Sequence, residues 1–382
     1  MDVQGHAGFK RQSMNIVFRV DASIQMGTGH VMRCLTLAEE LRRLGHSCVF
    51  ICREHPGNLG EFIIDKSFVV HLLSTTSGVN FTVENDDTAH AEWLGVSWRI
   101  DAEQTLAALG SMEVDWLVVD HYALDARWEK LLAKAVDQTM VIDDLADREH
   151  ECAVLLDQNV LCSESNQLYK ALVNTDCTLL LGPRYALLRP EYAELAKALP
   201  ERDGNISRVL VFVGGSDPHN LTERYLNALS APGFQDIQVD VVIGKNHPAP
   251  KAISALVSQR GAVRLYSGLP TLAALMVRAD LMLGAGGATN WERMCLGLTS
   301  IVVSVAHNQD EINRELADQA FIHFLGKAEA AAISDIQTAL LSILSDAIKN
   351  SVQSKAMRTV VDGCGTARVA QLMQEARKHA IT

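Results

Sequence analysis

What the chain lacks narrows its function first. None of its eight cysteines (Cys34, Cys48, Cys52, Cys152, Cys162, Cys177, Cys295, Cys364) forms a Cys-x-x-Cys pair, and several sit inside apolar runs. That pattern suits reduced, buried thiols better than metal ligands or disulfides, and it points to a cytosolic setting. Thirty-four Lys and Arg face 46 Asp and Glu, a net charge of −12, and there is no basic arm. A nucleic-acid backbone would be repelled overall, which disfavours nucleic acid as a partner. No apolar run approaches the roughly 18 residues needed to span a bilayer. Met1 to Ser13 is polar, without the apolar core of a signal peptide, so the expectation is a soluble chain with no membrane partner. No repeat of roughly 20–50 residues and no low-complexity tract is present.

What is present is core-forming material: 48% of the 382 residues are apolar, enough for buried cores in two or three domains. Short runs rich in Val, Ile and Leu alternate with amphipathic segments, the pattern of βαβ units around parallel sheets buried on both faces, so the fold class is α/β. Strands are expected at Ile16–Val20, Cys48–Cys52, Val69–Leu73, Trp116–Val119, Met140–Ile142 and Val154–Leu156. A helix from near His30 carries Val31, Leu35, Ala38, Leu41 and Leu44 at helical spacing and stops at Gly45. A second series restarts at Val209–Val213 and continues through Val239–Ile243, Val263–Leu265, Leu281–Leu283 and Ile301–Val305. Between the two, Ala196–Ser207 has turn chemistry and no apolar period, which marks a linker with its boundary near Gly204. The organisation expected is an extension over 1–14, a first domain over 15–203, a second over 204–326 and a helical segment over 327–382.

Residues suited to chemistry cluster at strand ends. Asp21 follows the first strand, and Gly27-Thr28-Gly29-His30 leads into the first helix, a glycine turn at the edge where open α/β sheets bind ligands. The turn lacks the third glycine of the dinucleotide fingerprint, and no acidic residue follows at the ribose position, which argues against nicotinamide binding. At a helix N-terminus the His30 imidazole would be favoured in the neutral form that a general base needs; equally, it can be a first-turn histidine packed on its own helix. Asp21 either orients that imidazole or closes the turn. In the second half, Gly214-Gly215-Ser216-Asp217 precedes a helix initiated by Asn220, and Gly284-Ala285-Gly286-Gly287 precedes Asn290, Trp291 and Glu292. Two such turns together suggest a phosphate cradle of backbone amides. Glu292 can accept ribose hydroxyls or merely complement the helix dipole, and Asn308 and Gln309 can bind a sugar's amides or cap a turn. Asp120, Asp143 and Asp144 follow apolar strands, but they form no compact ligand set, so no metal is expected and the aspartates are assigned to turns.

Taken in order, Arg19-Val20-Asp21-Ala22-Ser23 with Gly27-Thr28-Gly29-His30, Asp120-His121-Tyr122, Ile142-Asp143-Asp144, Tyr185-Ala186-Leu187-Leu188-Arg189, Gly214-Gly215-Ser216-Asp217, Asn290-Trp291-Glu292 and Asn308-Gln309 resemble a known family. It is the UDP-2,4-diacetamido-2,4,6-trideoxy-β-L-altropyranose hydrolases of pseudaminic acid biosynthesis, relatives of the MurG-type GT-B glycosyltransferases. The resemblance runs from about residue 15 to 325. It implies a GT-B fold, two Rossmann-like domains with parallel sheets facing across a cleft, with the nucleotide held by the second domain and the sugar offered to the first. It implies a cytoplasmic UDP-sugar hydrolase that needs no cofactor, serving flagellin glycosylation, with water attacking the anomeric carbon. His30 falls on the catalytic base, and Glu292 and Asn308 fall on substrate contacts. Asp21, Gly27, Gly29, Tyr122, Arg189, Gly214, Gly215, Ser216, Gly286, Gly287, Asn290 and Gln309 complete the expected substrate and UDP site. A GT-B glycosyltransferase using a UDP-amino-sugar donor is the alternative, and a non-catalytic nucleotide-sugar sensor is a third. Partner proteins are not indicated.

Overall fold

The computed structural model describes the backbone of residues 13–75, 87–159, 163–244 and 247–380, and the side chains of all of these but 163–166 and 377–380. Two compact units divide the chain. The first takes the described residues of Met1–Asp157, Cys162–Leu181 and Ala367–Thr382; the second takes those of Gln158–Leu161 and Gly182–Thr366.

The first unit contains β1 (Asn15–Val20), α1 (Gly29–Arg43), β2 (Ser47–Arg53), α2 (Gly60–Asp65), β3 (Val69–Leu73), α3 (Trp98–Leu109), β4 (Trp116–Asp120), α4 (Ala126–Leu132), β5 (Gln138–Ile142), β6 (Val154–Asp157), α5 (Ser163–Leu172) and β7 (Thr178–Leu181). Its seven strands are parallel, in the order β3-β2-β1-β4-β5-β6-β7. Central β1 sets the register, with Ile16 opposite both Cys48 and Trp116. α1 lies on the sheet through Val31, Cys34, Leu35, Leu37, Ala38 and Leu41, all buried. It ends where glycine was expected to end it. Gly45 takes φ +93° and donates to Arg42 O at 2.9 Å, while His46 N–H reaches Leu41 O at 3.1 Å, a Schellman closure that satisfies the last carbonyls.

The second unit runs α6 (Pro190–Ala198), β8 (Arg208–Phe212), α7 (Leu221–Leu229), β9 (Gln238–Ile243), α8 (Pro250–Gln259), β10 (Val263–Ser267), α9 (Ala273–Arg278), β11 (Leu281–Ala285), α10 (Thr289–Cys295), β12 (Thr299–Ser304), α11 (Asp310–Asp318), β13 (His323–Lys327), α12 (Ile333–Leu344) and α13 (Ala347–Val360). A final helix, α14 (Gly365–Ala380), begins in this unit and ends in the first. Six parallel strands pair in the order β10-β9-β8-β11-β12-β13. Alternate residues feed two cores. Val209, Val211, Leu281, Leu283, Ile301 and Val303 pack on one face, and Leu210, Met282 and Val302 on the other. Each fully buried side chain of this size contributes about 1.5–3 kcal/mol.

Two strands were not anticipated, β7 and β13. Both are sheet edges: β13 has no fully buried residue and carries Gly326 and Lys327, while β7, though it reads Thr-Leu-Leu-Leu, is a four-residue strand with one buried residue. The linker expected at Ala196–Ser207 is also corrected, because the chain changes units at Leu181–Gly182 and this stretch is packed within the second. Arg202 donates to the carbonyls of Leu296 (3.0 Å), Met276 (2.9 Å) and Ala279, and Asn350 Nδ2 holds Gly204 O at 3.0 Å. A Cβ on Gly204 would come within 1.9 Å of Ala347 O. Pro, Asp, Gly and Asn give a packed connection the same composition as a free linker. Nor is the 327–382 segment one appendage: α12 and α13 belong to the second unit, and most of α14 to the first. The seven described cysteines are unpaired thiols, five of them buried. Among the described residues no helix is long and apolar enough to cross a membrane.

Candidate active site

From β1 the first sheet builds outward to β2 and β3, then resumes on the other side of β1 with β4. β1 and β4 therefore flank the point where strand order reverses, and open α/β sheets bind ligands beyond the carboxyl ends of strands at such a point. The turn after β1 is closed by Gly27 N–H to Ser23 O at 2.9 Å and Met26 N–H to Ser23 Oγ at 3.0 Å. Gly27 has φ +77°, which favours glycine, and no atom lies within 4 Å of a Cβ built on Gly27 or Gly29. Both are exposed. α1 then starts with no side-chain cap and no acid in its first turn, an arrangement of backbone N–H groups that suits an anion.

His30 stands in that first turn, largely buried, with Nδ1 2.6 Å from Asp120 Oδ1 at the end of β4. An ionised carboxylate only accepts, so Nδ1 carries the proton, and Nε2 keeps its lone pair in the neutral ring. Burial opposes the charge on Asp120, but Arg33 and His30 outweigh it and hold the carboxyl well below the usual range. Arg33 Nε and Nη2 donate to Asp120 at 2.6 and 2.7 Å, and Nη1 reaches Asp144 Oδ2 at 2.6 Å. Asp144 also accepts from the Tyr122 hydroxyl at 2.8 Å. The Tyr122 ring meets His30 edge-on, centroids 4.6 Å apart. Carboxylate and ring together fix the imidazole as an oriented general base requires. Outward from Tyr122 lie His90 and Trp93, both half-buried, 4.5 Å from each other and 5.5 and 5.8 Å from Tyr122.

Asp21 does not orient His30; Asp120 does. Asp21 is buried, accepting from Arg53 N–H and Arg19 Nη1, each at 2.6 Å, and its other oxygen lies 3.3 Å from His121 Nε2. Arg19 and Arg53 in turn meet Asp101, which also takes the Trp128 indole N–H at 3.0 Å. Two guanidinium groups and two carboxylates thus neutralise one another beneath the turn. Burial opposes the Asp21 charge, yet Arg19 holds that carboxyl well below the usual range. Asp143 closes its turn by accepting from Leu145 and Ala146 N–H at 3.2 and 2.9 Å and lies 2.8 Å from Arg148 Nη1; burial opposes its charge, but Arg148, then His150 and the Ala146 amide, take its carboxyl down to about 2. Among the described residues no group of three or more His, Cys, Asp or Glu is arranged to hold a metal.

The second unit repeats the plan, with β8 and β11 flanking its own reversal of strand order. After β8, Gly214 (φ +110°) is half-exposed and Gly215 and Ser216 are exposed. Asp217, rather than Asn220, caps α7, its carboxylate accepting from Leu221 and Thr222 N–H, both at 2.8 Å. After β11, Gly287 (φ +93°) is required by its backbone and Gly286 by packing, since a Cβ there would come within 2.4 Å of Asn313 Nδ2. Glu292 is half-buried one turn into α10 beside Tyr192, Arg189 and Arg293; burial raises its carboxyl pKa, with those three neighbours opposing. After β12, Asn308 is exposed, and Gln309 Oε1 accepts from Val305 N–H at 3.1 Å.

Of the residues expected at a ligand site, Gly27, Gly29 and His30 come together in the first unit. Gly214, Gly215, Ser216, Gly286, Gly287, Glu292, Asn308 and Gln309 stand at strand ends in the second. Arg189 joins Glu292 there rather than the first domain, donating to Pro270 O at 2.8 Å. Asp21, Tyr122 and Asn290 are buried. Asn290 spends its amide on Asn313 (2.9 Å) and Arg293, and so shapes the glycine turn without facing a ligand. Arg33 was missed, although it sits one helical turn after His30, the spacing at which side chains share a face. His90 and Trp93 were missed too, because they lie in a stretch with no strand-end signature.

No protein-family model matches the chain. It is 24% identical over 311 residues to an uncharacterized protein of Methanocaldococcus jannaschii, covering 80% of this chain but 58% of that protein's length. It is 23% identical over 373 residues to the spore coat polysaccharide biosynthesis protein SpsG of Bacillus subtilis, covering 95% and 98% of the two chains. It is 22% identical over 309 residues to the UDP-2,4-diacetamido-2,4,6-trideoxy-β-L-altropyranose hydrolase of Campylobacter jejuni, covering 81% and 98%. Among solved structures, MurG of Acinetobacter baumannii superposes with a TM-score of 0.64 at 13% identity, over 95% of this chain and 99% of that one. The calicheamicin glycosyltransferase CalG4 gives 0.63 at 16%, over 97% and 100%. With its two parallel sheets, the chain has the GT-B fold.

Proposed function

We propose that this protein is an enzyme acting on nucleotide sugars, and specifically that it hydrolyses a UDP-linked diacetamido-trideoxy sugar of the kind used for pseudaminic acid. The observation that carries the reading is the 2.6 Å pairing of His30 Nδ1 with Asp120, which leaves Nε2 as an acceptor beside an exposed glycine turn. Water gives its proton to Nε2 as its oxygen bonds to the anomeric carbon. The bond from that carbon to the diphosphate oxygen breaks, and its electron pair leaves with UDP. Asp120 stabilises the imidazolium formed. UDP is a weakly basic leaving group, so the remaining need is to hold diphosphate charge. The glycine turns after β8 and β11 supply backbone amides for that, Glu292 the ribose contact, and Asn308 and Gln309 amides for the acetamido groups. No cofactor is required. Support comes from the name of the Campylobacter jejuni relative and from the polysaccharide-biosynthesis name of the Bacillus subtilis one.

The test is turnover of candidate UDP-sugars in water labelled with heavy oxygen, followed by mass spectrometry and proton NMR. Label is expected in the free sugar; label in UDP would mean attack at phosphorus and would sink the mechanism. A second reading, transfer of the sugar to an acceptor hydroxyl, is favoured by the glycosyltransferases among the structural neighbours. It predicts no UDP release until an acceptor is added.

A further inference from the structure

The aromatic rings around His30 are not used up by holding it. Tyr122 does the holding and is buried, whereas His90 and Trp93, next in the chain of rings, stay half-exposed. In a protein with 5% aromatic residues, three of the five tryptophans (Trp116, Trp128, Trp291) fill cores and Trp98 is flanked by Arg99 and Arg127. Trp93 alone adjoins the imidazole cluster with part of its surface open.

The wall is held firmly. His90 and Trp93 sit on a single 3₁₀ turn over Ala91–Leu94, with Trp93 N–H donating to His90 O at 2.9 Å. Ala91, Leu94 and Val96 anchor it, exposed by 7%, 1% and 2%. Gly95 closes it at φ +73°, and a Cβ there would press to 3.1 Å from His55 Cε1. Burial pushes the His90 ring below the ordinary histidine pKa; Asp147 pulls it back, while Arg148 and His30 add to burial. Burial thus disfavours charge on this wall, a poor match for a diphosphate and a good one for an uncharged ring.

We infer that His90 and Trp93 form the sugar-facing wall of the His30 site, and that Trp93 makes it selective for deoxy sugars bearing two acetamido groups over sugars with more hydroxyls and fewer acetamido groups. The inference rests on the nucleotide-sugar reading above and names the part of the ligand this wall receives. Deoxy carbons and acetamido methyls offer apolar area that an indole covers well. A hydroxyl placed against the same face loses water without gaining a partner.

The test uses the His30→Ala protein, in which the sugar should stay attached, titrated calorimetrically with UDP-2,4-diacetamido-2,4,6-trideoxy-β-L-altropyranose, UDP-N-acetylglucosamine and UDP. Adding Trp93→Ala should weaken the first by about tenfold or more, the second less, and UDP by under about twofold. Trp93→Phe should recover most of the loss, and with His30 intact Trp93→Ala should raise KM more than it lowers kcat. A change below about twofold for the diacetamido sugar in a variant melting like its parent would overturn the inference. So would an equal loss for UDP, or a parent that binds neither UDP-sugar more tightly than UDP. If the parent binds UDP-sugars through Trp93 while the native enzyme releases no free sugar, the wall stands and hydrolysis falls.

Discussion

His30 and Asp120 form a pair whose value lies in tautomer control. Asp120→Asn keeps the shape of the side chain but lets the amide donate, so Nδ1 is pushed toward the acceptor role and the proton toward Nε2. We expect kcat to drop by about 10²–10⁴ for His30→Ala and by a similar order for Asp120→Asn, the scale of losing a positioned base. UDP affinity should stay within a few-fold in both. A kcat within about threefold of wild type in a folded His30→Ala protein would remove His30 from the chemistry and shift attention to His121. Glu292 invites a different substitution. Burial already disfavours its charge, so Glu292→Gln should leave stability intact while weakening UDP binding by about 1.5–3 kcal/mol, the usual scale for a hydrogen bond to a charged group. Unchanged UDP affinity by calorimetry would make Glu292 a helix-end carboxylate only.

α7 depends on Asp217, whose two oxygens each accept a first-turn N–H, and Asp217→Ala should cost about 0.5–2 kcal/mol in urea unfolding. An equal cost from Asn220→Ala would say that the cap had been misassigned. The case shows what was legible from composition and what was not. Gly-Gly-Ser-Asp after an apolar run marks a strand-to-helix turn, but which of Asp217 and Asn220 caps it depends on a backbone twist, φ +53° at Asn220, that no local pattern encodes. The central strands were readable because both faces are buried and the apolar runs are unbroken; β13 lacks that signal, and β7 carries it only in Leu179, Leu180 and Leu181. Strand-end positions likewise marked His30 and the glycine turns. The partnership of His30 with Asp120 joins residues 90 apart, and Trp93 reaches the site from a connection after β3, so neither carries a local mark.

Across the whole molecule, buried ionisable groups set how stability responds to acid. His90, His121 and His323 are all pushed down by burial, so the fold favours their neutral forms. A histidine with a lowered folded pKa contributes stability that is whole above its unfolded value, near 6.5, and is lost as pH falls below it. Asp21, Asp101, Asp120 and Asp143 are lowered by their guanidinium and imidazole neighbours against the pull of burial, Asp143 to about 2. Their share is whole above about pH 4 and is lost toward pH 2. We therefore expect stability to fall in two stages, a shallow one below about pH 6.5 and a steep one below about pH 4. A flat profile from pH 7 to 4 in urea titrations would contradict the first stage.

The path of the chain also bears on how it is made. The indole N–H of Trp116, in the centre of the first sheet, donates to Met373 O at 3.2 Å, and Gln374 meets His46 Nε2 at 2.8 Å. Val369, Ala370 and Met373 are wholly buried. A ribosome finishes the strands of the first unit long before it reaches this helix, and domains generally fold in the order of synthesis. Here the unit begun first must wait, with the surface around Trp116 uncovered, until all of the second unit has been translated. Order of emergence and order of completion are thus inverted, and it is the nascent chain, more than the finished protein, that is exposed to chaperones and proteases.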